Sequence, residues 1–294
     1  MEPSGTEEIF DWQPVDPNKD TFYLDAKAKG SPTLCVLVFS CLFGKAAQLY
    51  RMKNYIQKNP RFIDYAIFLG NLSNLSSEEK KAAEVQAQTE GEISSVLDYA
   101  ENLGCKVLYV PAEGDPDSLY EPTEEQRPKL TTNSKNIHKT CYSLGEGLIV
   151  AGIGGYFNNN TKSWNEINLL EEKGNYTSSK YFETNLRSLI QNANMTHEKS
   201  QILLASYISP PLHNEELQDN EFKDYISVIK EAQASEKVLA ILSGNKNRTK
   251  SLRYCSEITV LNPGSLKDGH MAILELIKVK GKWKIASTEF INLM

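Results

Sequence analysis

Apolar residues fall along this chain in short dense runs separated by stretches of helical spacing, a rhythm that predicts an α/β protein. The first run, Val36–Phe39 within LCVLVFSCLFGK (34–45), is short, carries β-branched residues and is bounded by Gly44, so it reads as a buried strand. AAQLYRMKNYIQ (46–57) then sets Leu49, Met52 and Tyr55 on one side of a helix. FIDYAIFLGN (62–71) is a second strand, closing at Gly70. SSEEKKAAEVQAQTEGEISSVLDYAENLG (76–104) has a Ser cap, Glu in its first turn and a Leu103–Gly104 stop, a helix that Gly91 divides in two or leaves whole. KVLYVP (106–111) is a third strand entering the turn AEGDPD. This β-α-β-α-β order with short links means parallel strands and right-handed crossovers, with any chemistry at the carboxyl edge of the sheet.

Residues 112–140 read as loop. GLIVAGIGG (147–155) is a fourth buried strand, and 156–180 is a long polar insertion containing Trp164. FETNLRSLIQNAN (182–194) is a helix, and QILLASYISPPL (201–212) is a strand stopped by Pro210 and Pro211. A second amphipathic helix spans 215–235, followed by the strand VLAILSG (238–244). The basic cluster Lys246–Arg253 reads as a solvated turn. EITVLNPGSL (257–266) and HMAILELIKVKGKWKIASTEF (270–290) are expected as alternating antiparallel strands, with Lys280–Gly281–Lys282 as a hairpin turn. Parallel units followed by a meander predict one domain, 32–294, built as a two-sheet β-sandwich flanked by helices. Residues 1–31, proline-rich and charged with isolated Phe10 and Trp12, form an irregular arm.

Composition narrows the function classes. A net charge of −6 with no basic stripe predicts no nucleic-acid partner. No run approaches the roughly 20 apolar residues of a membrane span, which predicts no membrane insertion, and the acidic N-terminus lacks a signal-peptide pattern. Five widely spaced cysteines with no Cys-x-x-Cys pair predict a reduced, cytoplasmic protein. The histidines at 138, 197, 213 and 270 are scattered through loops and strand ends without metal-ligand spacing. Asp115 and Asp117, in Gly-Asp-Pro-Asp, read as turn residues rather than catalysts. Cys41 reads as a small buried residue, with a reactive thiol as the sharper alternative.

Taken together, the strand ends carry Cys41-Leu42-Phe43-Gly44, Gly70-Asn71, Ala112-Glu113-Gly114-Asp115 and Gly154-Gly155. They continue with Ser206 ahead of Pro210-Pro211, then Gly244-Asn245-Lys246-Asn247 and Asn262-Pro263-Gly264-Ser265-Leu266. In that order they resemble the calcineurin-like metallophosphoesterases, nearest in style to the small Icc-type phosphodiesterases, across roughly residues 33–290. The resemblance implies an α-β-β-α layered fold and, in an active member, a two-metal site that activates water for phosphoester hydrolysis. By position, the family's Asp is Cys41, its His is Phe43, its bridging Asp is Asn71 and its Asn ligand is Glu113. Its acid His is Gly114, and its later His ligands are Ser206, Asn245 and Asn247. Hard divalent cations need carboxylates and imidazoles. A neutral amide at position 71 cannot screen two metals from each other, and Phe43 is bulky where one would sit.

The expectation is therefore a degenerate member without metal, cofactor or catalytic residues. It would serve as a pseudoenzyme scaffold with protein partners in a larger intracellular assembly, cytoskeletal or other. Phe10, Trp12 and Trp164 are the candidate docking residues. Two alternatives stand beside this: a divergent phosphodiesterase or phosphatase using Glu113, Asp115 and Cys41, and a sensor. The sensor would hold a phosphate or nucleotide without turnover, with Gly44, Glu113, Asp115, Asn262 and Ser265 as candidate binding residues.

Overall fold

A computed structural model describes residues 32–157, 175–176, 179–210, 237–244, 250–255 and 258–293. The chain opens with strand β1 (Thr33–Phe39), helix α1 (Ala47–Lys58), β2 (Tyr65–Leu69), helix α2 (Ala83–Glu101), β3 (Lys106–Val110) and the short β4 (Ser134–Asn136). These four strands are parallel. The hairpin β13 (His270–Val279) and β14 (Lys282–Asn292) joins β1 antiparallel, giving the sheet order β14-β13-β1-β2-β3-β4. Lys280 and Gly281 both have positive φ, the two-residue turn whose twist matches the strands it joins.

The second sheet is built from β5 (Thr140–Gly145), β6 (Leu148–Ile153), β9 (Gln201–Ser206), β10 (Val238–Ser243), β11 (Ser251–Cys255) and β12 (Ile258–Asn262), in the order β11-β12-β10-β9-β6-β5. Two-residue strands β7 (Tyr156–Phe157) and β8 (Asn175–Tyr176) pair with each other ahead of helix α3 (Ser179–Thr196).

The period-2 alternation of β1 sorts its residues into two cores. Leu37 and Phe39 face α1 and α2, where they meet Leu49, Met52, Phe68, Ile93 and Leu97. Val36 and Val38 face the other sheet and meet Ile67, Leu69, Leu203, Leu242 and Leu274. On the far face of the second sheet, Phe182, Leu186 and Ile190 of α3 cover Ile149, Ala151, Ile202 and Leu204. The layers are α-β-β-α, as the sequence pattern and the resemblance both implied.

Several elements depart from expectation. α2 runs unbroken through Gly91; the discontinuity lies at Ala82, whose extended backbone separates α2 from a 3-10 turn at Glu79–Lys81. Ser76 and Glu79 cap that turn by reciprocal hydrogen bonds. The stretch 112–140 carries β4 and the start of β5, and there the chain passes from one sheet to the other. Part of the basic cluster is strand β11, not turn. β12 is neither alternating nor purely antiparallel: all five residues are buried, as in an interior strand covered on both faces, and it runs parallel to β10 and antiparallel to β11. The arm 1–31, most of the insertion and the helix expected at 215–235 lie outside the described residues.

Candidate functional site

The carboxyl ends of β1, β2, β3, β9 and β10 converge. Hydrogen bonds from Cys41 N to Gly70 O (3.0 Å), Phe43 N to Asn71 O (2.9 Å) and Gly44 N to Leu72 O (3.0 Å) lace the β1 and β2 loops together. Across the hairpin side, Leu266 N donates to Ser40 O (2.8 Å) and Lys267 N to Cys41 O (3.0 Å). Cys41, Phe43 and Asn71 all have positive φ, between 51° and 56°, a conformation that L-residues adopt only when their surroundings impose it.

Into the space these loops enclose, three buried side chains project and touch: Cys41, Ala112 and Tyr207, with Phe43 and Tyr156 packed against them. The Tyr207 ring lies against Gly70 and Gly244, where an added Cβ would come within 3.0 Å of its Cδ2 on either side. Asn71 is 1% exposed. Its Nδ2 donates to Tyr207 Oη at 2.8 Å and its Oδ1 accepts from Gly114 N at 2.8 Å, so both ends of the amide are engaged. Burial, with the charges of Glu113 and Asp117 adding to it, pushes the Tyr156 phenol up to about 12, so it stays neutral.

Asp115 is fully buried beside this cluster. One carboxylate oxygen accepts from Asn71 N (2.9 Å) and Ala112 N (2.8 Å), the other from Ser73 N (2.9 Å) and Ser73 Oγ (3.1 Å). Burial raises its pKa, and these donors oppose that rise. The carboxylate thus staples the β2 loop to the β3 loop, a stronger structural role than a turn residue and one that turns it away from any ligand.

Several of the candidate phosphate-binding residues are engaged within the protein, while Asn262 Nδ2 is buried without a hydrogen-bond partner. Gly44 N–H is bonded to Leu72 O, Ser265 Oγ donates to Cys41 O at 3.3 Å, and Asn262 Oδ1 accepts from Gly264 N at 2.9 Å. Glu113 is half-buried beside the cluster. Ser206 is fully buried at the end of β9, and the adjacent Tyr207 is the residue that reaches the cluster. Sequence reading passed over Tyr207; its one signal was an aromatic directly after an apolar run that the resemblance places at the site. Asn245, Asn247, Phe10, Trp12 and Trp164 lie outside the described residues.

His138 lies in the link between β4 and β5, in an isolated bridge to Gly152. It is fully buried against Tyr120, with ring centroids 5.2 Å apart, and its Nδ1 accepts Gly154 N–H at 2.9 Å. Burial, reinforced by Lys139 and Arg127, holds its pKa well below 6.5, so the ring is neutral.

Among the described residues no three His, Cys, Asp or Glu side chains are gathered closely enough to hold a metal ion. The described donors do not fit a pair of hard cations, since a thiol, three aromatic rings, a methyl group and an amide bonded at both ends occupy the strand-end space. No described helix is long and apolar enough to cross a membrane.

This architecture is the metallophosphoesterase fold. The structure of TT1561 from Thermus thermophilus superposes with a TM-score of 0.60 at 15% identity, covering 90% of this chain and all of that one. A Staphylococcus aureus protein described as a 5'-nucleotidase, solved with α-ketoglutarate, gives 0.57 at 11% identity over 90% of this chain and 55% of its own. No family model matches the chain, and no curated protein sequence does. At such identities the likeness concerns the fold.

Proposed function

We propose that this chain is a catalytically inactive protein of metallophosphoesterase fold, acting as a structural or interaction subunit of a larger intracellular assembly. One observation carries the reading: Tyr207, Cys41 and Ala112 pack together, with Phe43 and Tyr156, in the space enclosed by the strand ends. Two-metal phosphoester hydrolysis requires open coordination positions and anionic ligands there. A neutral, hydrogen-bonded amide at Asn71 and an apolar cluster beside it offer neither. What remains is a rigid scaffold, and Phe10, Trp12 and Trp164 are proposed as its points of attachment to protein partners.

Elemental analysis of the full chain, purified without chelator, tests the first half. Manganese, iron and zinc are each expected well below one equivalent, and two tightly held equivalents would overturn the reading. Turnover of a bis-aryl phosphodiester that disappears in Glu113→Ala would instead favour the divergent enzyme. For the second half, deletion of residues 1–31 is expected to release the protein from its complex while leaving its melting temperature unchanged. Retention in the complex would remove the arm as the anchor.

A further inference from the structure

A cavity of about 560 Å³ opens at the edge of the sandwich, away from the strand-end cluster, between β4 of one sheet, β5 of the other and the segment leading into β4. Its walls include Lys106, Tyr109, Arg127, Lys129, Lys135 and Tyr142. Arg127 is the unusual member. It is only 6% exposed, and it is held by main-chain carbonyls: Nε donates to Glu121 O at 2.7 Å and Nη2 to Pro122 O at 3.3 Å. Nη1 is buried with no hydrogen-bond partner.

Glu124, Glu121 and Glu125 lie within electrostatic reach of Arg127, but among the described residues no carboxylate accepts a hydrogen bond from its guanidinium. Glu124 is paired with Lys135 at 2.9 Å, and Glu125 is exposed. Lys106 is engaged with the Tyr142 hydroxyl, whose ring also carries Lys135 Nζ 5.6 Å from its centroid. A guanidinium stays charged at any accessible pH, and leaving one of its buried N–H groups without an acceptor is costly. Its planar fork suits a carboxylate or phosphate oxygen. Burial keeps Tyr109 a neutral phenol, a hydrogen-bond donor on the same wall. Tyr109, Leu130 and Tyr142 offer apolar surface, while Glu124 and Glu125 among the lining residues disfavour polyanions.

The geometry points to this cavity as a binding site for a small organic anion: one carboxylate or phosphate-monoester head on Arg127, with an aromatic or apolar body against Tyr109 and Tyr142. The volume is that of a small-ligand pocket.

Titration of the full chain with phenyl phosphate and, separately, benzoate tests this, read by calorimetry and by the Arg127 side-chain NMR resonance. Saturable binding near about 1 mM is expected for at least one probe, given the size of such ligands. The tighter arm identifies the head group. Arg127→Gln should weaken that binding at least about tenfold, the loss expected for one charge-assisted hydrogen bond, and Lys129→Glu should also weaken it. Absence of saturation by both probes, or an Arg127→Gln variant that binds as the wild type does, overturns the proposal. Should Arg127→Gln fail to fold, an unchanged affinity in Lys129→Glu together with an unmoved Arg127 resonance overturns it.

Discussion

Two substitutions at Tyr207 separate hydrogen bonding from packing at the strand-end cluster. Tyr207 is 5% exposed, its ring sits against Gly70 and Gly244, and its hydroxyl accepts from Asn71 Nδ2 at 2.8 Å. Tyr207→Phe keeps the ring and removes the acceptor, leaving a buried amide donor unsatisfied. That costs about 1–3 kcal/mol. Tyr207→Ala removes the ring as well, and truncation of a buried aromatic costs about 3–5 kcal/mol. The two costs do not simply add, because water entering the emptied, partly polar space can satisfy Asn71. Urea unfolding at neutral pH, with the slope of the transition checked for constancy, measures both. The expected order is wild type, then the phenylalanine variant, then the alanine variant. A phenylalanine variant within about 0.5 kcal/mol of wild type, with an alanine variant costing under about 1 kcal/mol, would mean that the ring does not fill a packed space. Tyr207 would then not occlude the strand-end space.

Asn71→Asp places a carboxylate where the resemblance sets a bridging ligand, yet it should recruit no manganese, iron or zinc by elemental analysis. A buried carboxylate there should destabilise by about 1–3 kcal/mol at neutral pH. Its raised native pKa means the cost is relieved as acid protonates it, so the deficit should shrink on lowering the pH through that pKa. His138 predicts the opposite slope. The unfolded imidazole takes a proton near 6.5 while the buried one refuses it, so stability is full above that pH and falls below it by up to about 1.4 kcal/mol per unit; His138→Asn should remove most of that slope in urea unfolding between about pH 6.5 and 5. Gly244→Ala drives a methyl group into the Leu69 carbonyl and toward the Tyr207 ring, and should lower the midpoint of thermal unfolding by several degrees.

What was legible in the sequence followed burial. The strands within 34–39, 62–71, 106–111, 147–155 and 238–244 are interior, covered on both faces, and so read as continuous apolar runs. The elements that escaped are edges. β11 at the outer edge of the second sheet has partly exposed Ser251, Leu252 and Arg253, and β4 reads Ser-Lys-Asn, because an edge strand need not be apolar. The direction of β12 depended on its pairing with β10, a contact between residues about twenty apart that local pattern does not encode. Asp115 looked like turn chemistry because its donors on Asn71 and Ser73 lie more than forty positions away. The residues that the resemblance sets at ligand positions were legible only through the order of the strand ends, whereas the residue that closes the space, Tyr207, became visible from packing.

The backbone of the strand-end loops explains how Cys41, Phe43 and Asn71 are held in place. Left-handed φ at Cys41 and Phe43 costs on the order of 1 kcal/mol each, and neither side chain favours it. Asn71 tolerates it better. The cost is offset by groups that do not depend on what those side chains are. Main-chain bonds join Cys41, Phe43 and Gly44 to Gly70, Asn71 and Leu72, and the Asp115 carboxylate ties three backbone N–H groups together. A loop conformation held by main chain and by one buried acid displays whatever residues occupy it. With carboxylates and imidazoles that display would be a metal site; with a thiol, a phenyl ring and an amide it becomes a surface that packs. Tyr207 then completes it, engaging Asn71 Nδ2, which would otherwise be buried without a partner.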